Sequence, residues 1–180
     1  MSVGIDERSG GHLIGQHLTS LGHRKIGFIK GPAEHRAAAL RYDGFVDALR
    51  EAGIDVEPWT MTGDFTFKSG VEAAEQLLRK GLPVTAIACA NDDMAAGALL
   101  GLHRVHLEIP GAISVTGFDD TPMSEIVWPP LTTIRQPIKD LTERAVHLLV
   151  ESQSNGSIRY DELPFELIVR ESTSSPAAGA

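Results

Sequence analysis

TAIACANDDMAAGALLGL (residues 85–102) joins two kinds of pattern at a single point. Thr85 to Ala90 carry only small or apolar side chains, which suits a strand buried on both faces. Asn91-Asp92-Asp93 follow at once, and a helical pattern runs from there to about residue 105. An apolar strand that ends in an amide and two carboxylates fits the carboxyl edge of a parallel sheet, where the next helix begins its return. AISVTGFDD (112–120) repeats the arrangement, with Asp119 and Asp120 at its end.

Working outward, strand and helix patterns alternate along the chain. HLIGQHLTSLG (12–22) places Leu13, Ile14, His17, Leu18 and Leu21 near one helical face, stopped by Gly22. KIGFI (25–29) reads as a strand, and 34–53 as a helix whose stripe holds Leu40, Gly44, Phe45, Ala48 and Leu49. A weak strand at 59–65 precedes a helix over 66–81, for which Thr66 is the expected N-cap. After the strand at 84–90 and the helix at 92–105 come a strand at 112–118, an extended piece PPLTTIRQP (129–137) and a helix at 138–151. A polar turn (152–157), a strand LPFELIVR (163–170) and the tail STSSPAAGA, expected to be frayed, complete the chain.

Such alternation predicts an α/β protein: a parallel sheet with helices on both faces. Ligands of such sheets bind in the crevice outside the carboxyl ends of the strands. Asn91 and Asp119 are the first functional polar groups past two of those ends. If the strands are neighbours, they offer donors and acceptors suited to hydroxyl groups. The plainer reading of Asn91, Asp92 and Asp93 is helix capping. Asp119 precedes no strong helix pattern, which favours a functional role.

The composition narrows the function. Among 180 residues, 42% are hydrophobic and 22% charged, and the formal net charge is −8, a poor match for gripping DNA phosphates. No apolar run reaches the ~20 residues of a membrane span, and no secretory signal is visible in MSVGIDERSGG. Cys89, the one cysteine, suits a small core residue in a reducing compartment. Asn155-Gly156-Ser157 reads as a turn rather than a glycosylation site. Neither a nucleophile elbow nor a Gly-rich phosphate loop occurs, so no cofactor is implied. His103 and His106 sit where a helix C-terminus favours cations, and metal chelation is the weaker reading. The carboxylate pairs at 92–93 and 119–120 lack a partner motif for acid–base or Mg²⁺ chemistry, so an enzyme is not expected.

Several stretches taken together match one pattern: LTSLGHRKIGFIKGP (18–32), RYDGFVDALREAGI (41–54), GDFTFKSGVEAAEQLL (63–78), PVTAIACANDDMAAGAL (83–99), IPGAISVTGFDD (109–120), PPLTTIRQP (129–137) and LPFELIVREST (163–173). In that order they resemble the effector-binding region of the lactose-repressor (LacI) family of bacterial transcription regulators. The resemblance implies a two-lobed, periplasmic-binding-protein-like fold holding a small molecule, commonly a sugar. It divides the chain into 1–24, a remnant of the N-terminal lobe; 25–128, the C-terminal lobe; 129–155, a crossover and N-terminal-lobe helix; 156–173, a return strand; and 174–180, a disordered tail. It further implies a cytoplasmic homodimer that meets operator DNA only through a separate N-terminal helix-turn-helix domain, with no membrane contact. An exported sugar-binding protein is the alternative.

The resemblance also assigns ligand-binding positions. Arg41, in R-x-x-G-F, matches the arginine that grips the effector, by two hydroxyls or a carboxylate. Phe65 matches an aromatic that stacks on the ligand, with Phe67 as a rival. Asn91 and Asp119 match the amide and carboxylate contacts, and Gln136 lines the cleft. Ala37 stands where some members have a polar contact. Helices 66–80 and 92–105 are expected at a dimer face; Gly97 and Gly101 allow close approach of another element, with packing on the chain's own sheet as the equal alternative. The apolar faces of helices 10–21 and 138–151, lacking the rest of the N-terminal lobe, are expected to be covered by self-association.

Overall fold

The computed structural model describes residues 2–54, 59–81, 84–155 and 160–177. Its centre is a four-stranded parallel sheet of β2 (Ile26–Lys30), β3 (Thr60–Thr62), β4 (Ala86–Cys89) and β5 (Ser114–Thr116), in the order β3-β2-β4-β5. β4 is buried along its whole length, as its run of small apolar residues requires. Helices α1 (Glu7–Ser20) and α2 (Arg36–Glu51) pack as one pair, and α3 (Phe67–Arg79) and α4 (Asp92–His103) as another. Right-handed crossovers set α2, with α1 against it, on one face and α3 and α4 on the other. Ile29, Phe45, Leu49, Leu77, Ile87 and Leu102 lie in the core between these layers.

Both helix pairs approach closely through glycine. A Cβ on Gly44 would lie 1.8 Å from the Arg8 carbonyl oxygen, and one on Gly11 would lie 1.9 Å from that of Arg41. On the other face, a Cβ on Gly97 would meet the Phe67 carbonyl oxygen at 2.0 Å, and Gly101 packs on Ala74 and Val71. Gly97 and Gly101 therefore face α3 of the same chain, and their small size is explained without a second copy.

Three further groups complete the molecule. β1 (Ser2–Gly4) pairs in parallel with β7 (Tyr160–Glu162), and α6 (Ile138–Asn155) packs on β1. β6 (Thr133–Arg135) pairs antiparallel with β8 (Glu166–Ile168). Parallel bridges Thr116–Thr132 and Asp119–Arg135 fasten the β6 segment beside the end of β5. A short α5 (Met123–Ile126) lies between them.

Four expectations need correction. The strand predicted over 163–170 is confined to Glu166–Ile168, with Tyr160–Glu162 in a different sheet. Pro164, between them, has no N–H to offer a ladder. α1 begins at Glu7 rather than near residue 12, because Asp6 caps it, accepting from the Ser9 N–H at 3.1 Å. Its apolar stripe, Ile14 and Leu18, is buried in the core with Phe45 and Leu49, so α1 needs no second copy to cover it. α6 does expose Val146, Leu149 and Val150.

The tail is the fourth correction: residues 172–174 are docked. Ser172 is wholly buried; its Oγ donates to the Val115 carbonyl at 2.6 Å and accepts from the Thr132 N–H at 2.8 Å. The Val115 N–H donates to the Ser172 carbonyl at 2.8 Å. Buried His23 donates from Nε2 to the Ser174 carbonyl at 2.9 Å. β5 would otherwise leave unpaired backbone groups on its outer edge, and the tail satisfies them. Residues 178–180, and Gly156 and Ser157 of the predicted turn, lie outside the described residues; Ser152–Asn155 continue α6.

Candidate functional site

The strand ends deliver polar groups to one place. Beyond β4, Asn91 takes an extended backbone and caps α4: its Oδ1 accepts from the Met94 N–H at 3.0 Å. Its Nδ2 donates to the Phe65 carbonyl at 3.0 Å. One amide thus ties the start of α4 to the loop after β3, and the capping reading of Asn91 is correct. One N–H of Nδ2 is left for another partner. Phe65 has a positive φ of 69°, and its ring lies over Gly31, where a Cβ would come within 2.4 Å of it. The ring meets His35 edge-on at 5.5 Å. Phe67, the rival aromatic, begins α3 and is 40% exposed.

Beyond β5, Asp119 adopts a positive φ of 110°, and its N–H donates to the Ile134 carbonyl at 2.8 Å. Its Oδ1 accepts from Gln136 Nε2 at 2.6 Å and lies 3.1 Å from Arg41 Nη1. Arg41 reaches this point from α2, almost wholly buried. Nη1 also donates to the Ala90 carbonyl at 2.7 Å, and the guanidinium lies over the Phe118 ring at 3.8 Å. Nε donates to Glu7 Oε2 at 2.7 Å and Nη2 to Glu7 Oε1 at 3.4 Å. Arg41, Asp119 and Gln136 are joined directly, and Asn91 with Phe65 lies beside them through Ala90.

Burial pushes the Asp119 carboxyl above the usual carboxylate range; Arg41 and Gln136 pull it down, and the charge of Glu7 adds a smaller upward push. The other aspartates serve structure. Asp92 is wholly buried, accepting from Thr133 Oγ at 2.6 Å and from the Thr121 N–H at 2.7 Å. Burial raises its pKa to about 6, against the lowering effect of those hydrogen bonds. Asp120 is burdened by burial, yet hydrogen bonds from Arg170, Arg135 and Ser124 hold it below the usual range. Among the described residues no group of His, Cys, Asp and Glu is placed to hold a metal ion. His103 Nε2 donates instead to the Trp128 carbonyl at 2.9 Å.

Glu7 carries no motif signal. Its role depends on the α1–α2 contact, which brings residues 34 apart in sequence into an ion pair. Beside it opens a cavity of about 700 Å³ between β1, β7 and the start of α2, lined by Ile5, Glu7, Arg36, Ala37, Leu40 and Tyr160 among others. The half-buried Ala37 contributes no hydrogen bond there.

Residues 16–173 match the model of a periplasmic binding protein-like domain. The chain belongs to that family. Within it, the ribose operon repressor of Escherichia coli strain K12 is 36% identical over 163 residues, covering 90% of this chain and 49% of that protein. The cellobiose complex of the transcriptional regulator CelR superposes with a TM-score of 0.90 at 34% identity, over 94% of this chain and 53% of the other. A dimeric lac repressor with an 11-residue C-terminal deletion gives 0.92 at 34% identity, over 97% of this chain and 64% of the other. The chain spans about half the length of the curated relatives it matches. No helix among the described residues is long and apolar enough to cross a membrane.

Proposed function

We propose that this chain is the effector-sensing region of a LacI-type transcriptional repressor, a binding module rather than an enzyme. The observation that carries the reading is the meeting of Arg41, Asn91, Asp119 and Gln136 at the carboxyl ends of neighbouring parallel strands, with the Phe65 ring beside them. That edge is where open α/β sheets bind small molecules. Asp119 accepts hydroxyl protons, Asn91 and Gln136 each keep a free amide N–H, and Phe65 supplies a face for apolar C–H groups. A ribose operon repressor and a cellobiose complex among the relatives favour a sugar.

In this reading residues 25–128 form the C-terminal lobe, and α1, expected from the sequence to be a remnant of the N-terminal lobe, is reassigned to it because it packs on α2. β1, β7 and α6 belong to the N-terminal lobe, and the ligand lies between. The ligand shifts the population of lobe arrangements, and a difference of a few kcal/mol in affinity for the two is enough to change DNA occupancy. DNA contact belongs to a helix-turn-helix domain outside this chain, and the protein works as a cytoplasmic homodimer.

The test uses the longer protein with its DNA-binding domain. Asp119→Asn keeps a residue that tolerates positive φ and removes the acceptor charge. Operator affinity without ligand should stay as in the wild type, while the ligand-induced change in operator binding disappears. A retained response would refute the assignment of the site.

A further inference from the structure

An arginine at the edge of a ligand cleft is ordinarily an anion receptor, with five N–H donors and a permanent charge. Arg41 is not free to act as one. Nε and one Nη2 N–H go to Glu7, at 2.7 and 3.4 Å. Nη1 donates to the Ala90 carbonyl at 2.7 Å and lies within ion-pair distance of Asp119 Oδ1, at 3.1 Å. Phe118 covers one face of the guanidinium. Two carboxylates flank one cation, so the group carries a net negative charge. Their side chains are 17% and 27% exposed while that of Arg41 is 8% exposed, so an incoming ligand meets the acceptors before it meets the cation. Arg8 cannot restore the balance, since it pairs with Asp47. Arg36 lines the adjoining cavity, but so does Glu162.

We propose that Glu7 sets the charge class of the ligand: it occupies the anion-binding edge of Arg41, so that the cleft takes a neutral, hydroxyl-donating molecule and rejects phosphorylated or carboxylated ones. This rests on the placement of the ligand at Arg41 and Asp119. Neutral hydroxyls donate to the carboxylates of Glu7 and Asp119 without repulsion. A phosphate or carboxylate must displace Glu7 from the arginine or sit beside two like charges in a poorly solvated place. The carboxylate-gripping role that an arginine in R-x-x-G-F allows is closed in this arrangement.

Glu7→Gln keeps the shape and one acceptor but removes the charge. The wild-type chain and Glu7→Gln are titrated with inorganic phosphate and D-ribose 5-phosphate, and separately with D-ribose and cellobiose, by thermal shift and calorimetry. Glu7→Gln should bind the two anions at least tenfold more tightly than the wild type does. Glu7→Ser, which also removes the charge, is the second variant should Gln disturb folding. Equal anion affinity in the wild type and a folded variant would overturn the proposal. So would tight phosphate binding by the wild type that Arg41→Gln abolishes. If the variants gain anion affinity while neither neutral sugar binds the wild type, the charge filter stands and the sugar reading is the one that fails.

Discussion

Gly44→Ala tests how tightly the helix pair that builds the site is set. The added Cβ would lie 1.8 Å from the Arg8 carbonyl oxygen, where ordinary contact begins at about 3.4 Å, so α1 and α2 must part by about 1.6 Å there. The obstacle is backbone, which has no rotamer to change. Overpacking of this kind costs typically 1–3 kcal/mol, and about 3 is the fitting end for a rigid neighbour. Alanine in place of a mid-helix glycine returns about 1 kcal/mol through helix propensity. The net expectation is a loss of about 2 kcal/mol, or roughly 4–8 °C in Tm for a chain of this size. Urea unfolding followed by the fluorescence of Trp59 and Trp128 measures it. The two contributions have opposite signs, so the assay separates them: propensity alone would raise the urea midpoint, and close packing lowers it. A midpoint that stays or rises with an unchanged m-value refutes the contact argument.

Two further outcomes follow from buried polar groups. Asp92 has its pKa raised to about 6 in the folded state, so its neutral form is favoured there; its stabilising effect is present below the unfolded value of 3.8 and is lost as pH rises through about 6. A shift of about two units corresponds to roughly 3 kcal/mol, so Asp92→Asn should gain up to that much relative to the wild type between about pH 4 and 6.5. Parallel urea titrations across that range check it, and a difference independent of pH contradicts it. Ser172→Ala removes one hydroxyl that serves the Val115 carbonyl and the Thr132 N–H. Leaving two buried groups without a partner should cost about 2 kcal/mol, read by thermal unfolding, with faster hydrogen exchange at the Thr132 amide. A wild-type melting curve and undiminished protection would show that the tail is not held through Ser172.

How much of this could be read from the chain alone depends on the range of each interaction. β4 and the start of α4 are legible because burial on both faces and N-capping are local: Ala86–Cys89 must be apolar, and Asn91 accepts from a residue three positions on. Thr66 caps α3 for the same reason. Asn91 and Asp119 are legible as site residues because the rule that draws ligands to strand ends needs only the strand order. The misreadings share the opposite property. The sequence pattern starts α1 too late because its cap, Asp6, lies ahead of the apolar stripe; Gly10 and Gly11 are buried within the helix, and Gly11 meets the Arg41 backbone. Gly97 and Gly101 announce a close approach but not the element that makes it, which is α3. Ser172-Thr173-Ser174 resemble a frayed tail until the unpaired edge of β5 is known. The ligand's charge class is the least local property of all. It depends on whether a carboxylate stands opposite Arg41, and that depends on two glycines that let α1 lie on α2. Glu7 sits one residue from the Arg8 carbonyl against which Gly44 packs, so the backbone contact that stabilises the helix pair also fixes the reach of Glu7 to Arg41. Prising the helices apart at Gly44 should therefore weaken anion rejection along with stability, whereas changes on the α3–α4 face should cost stability alone.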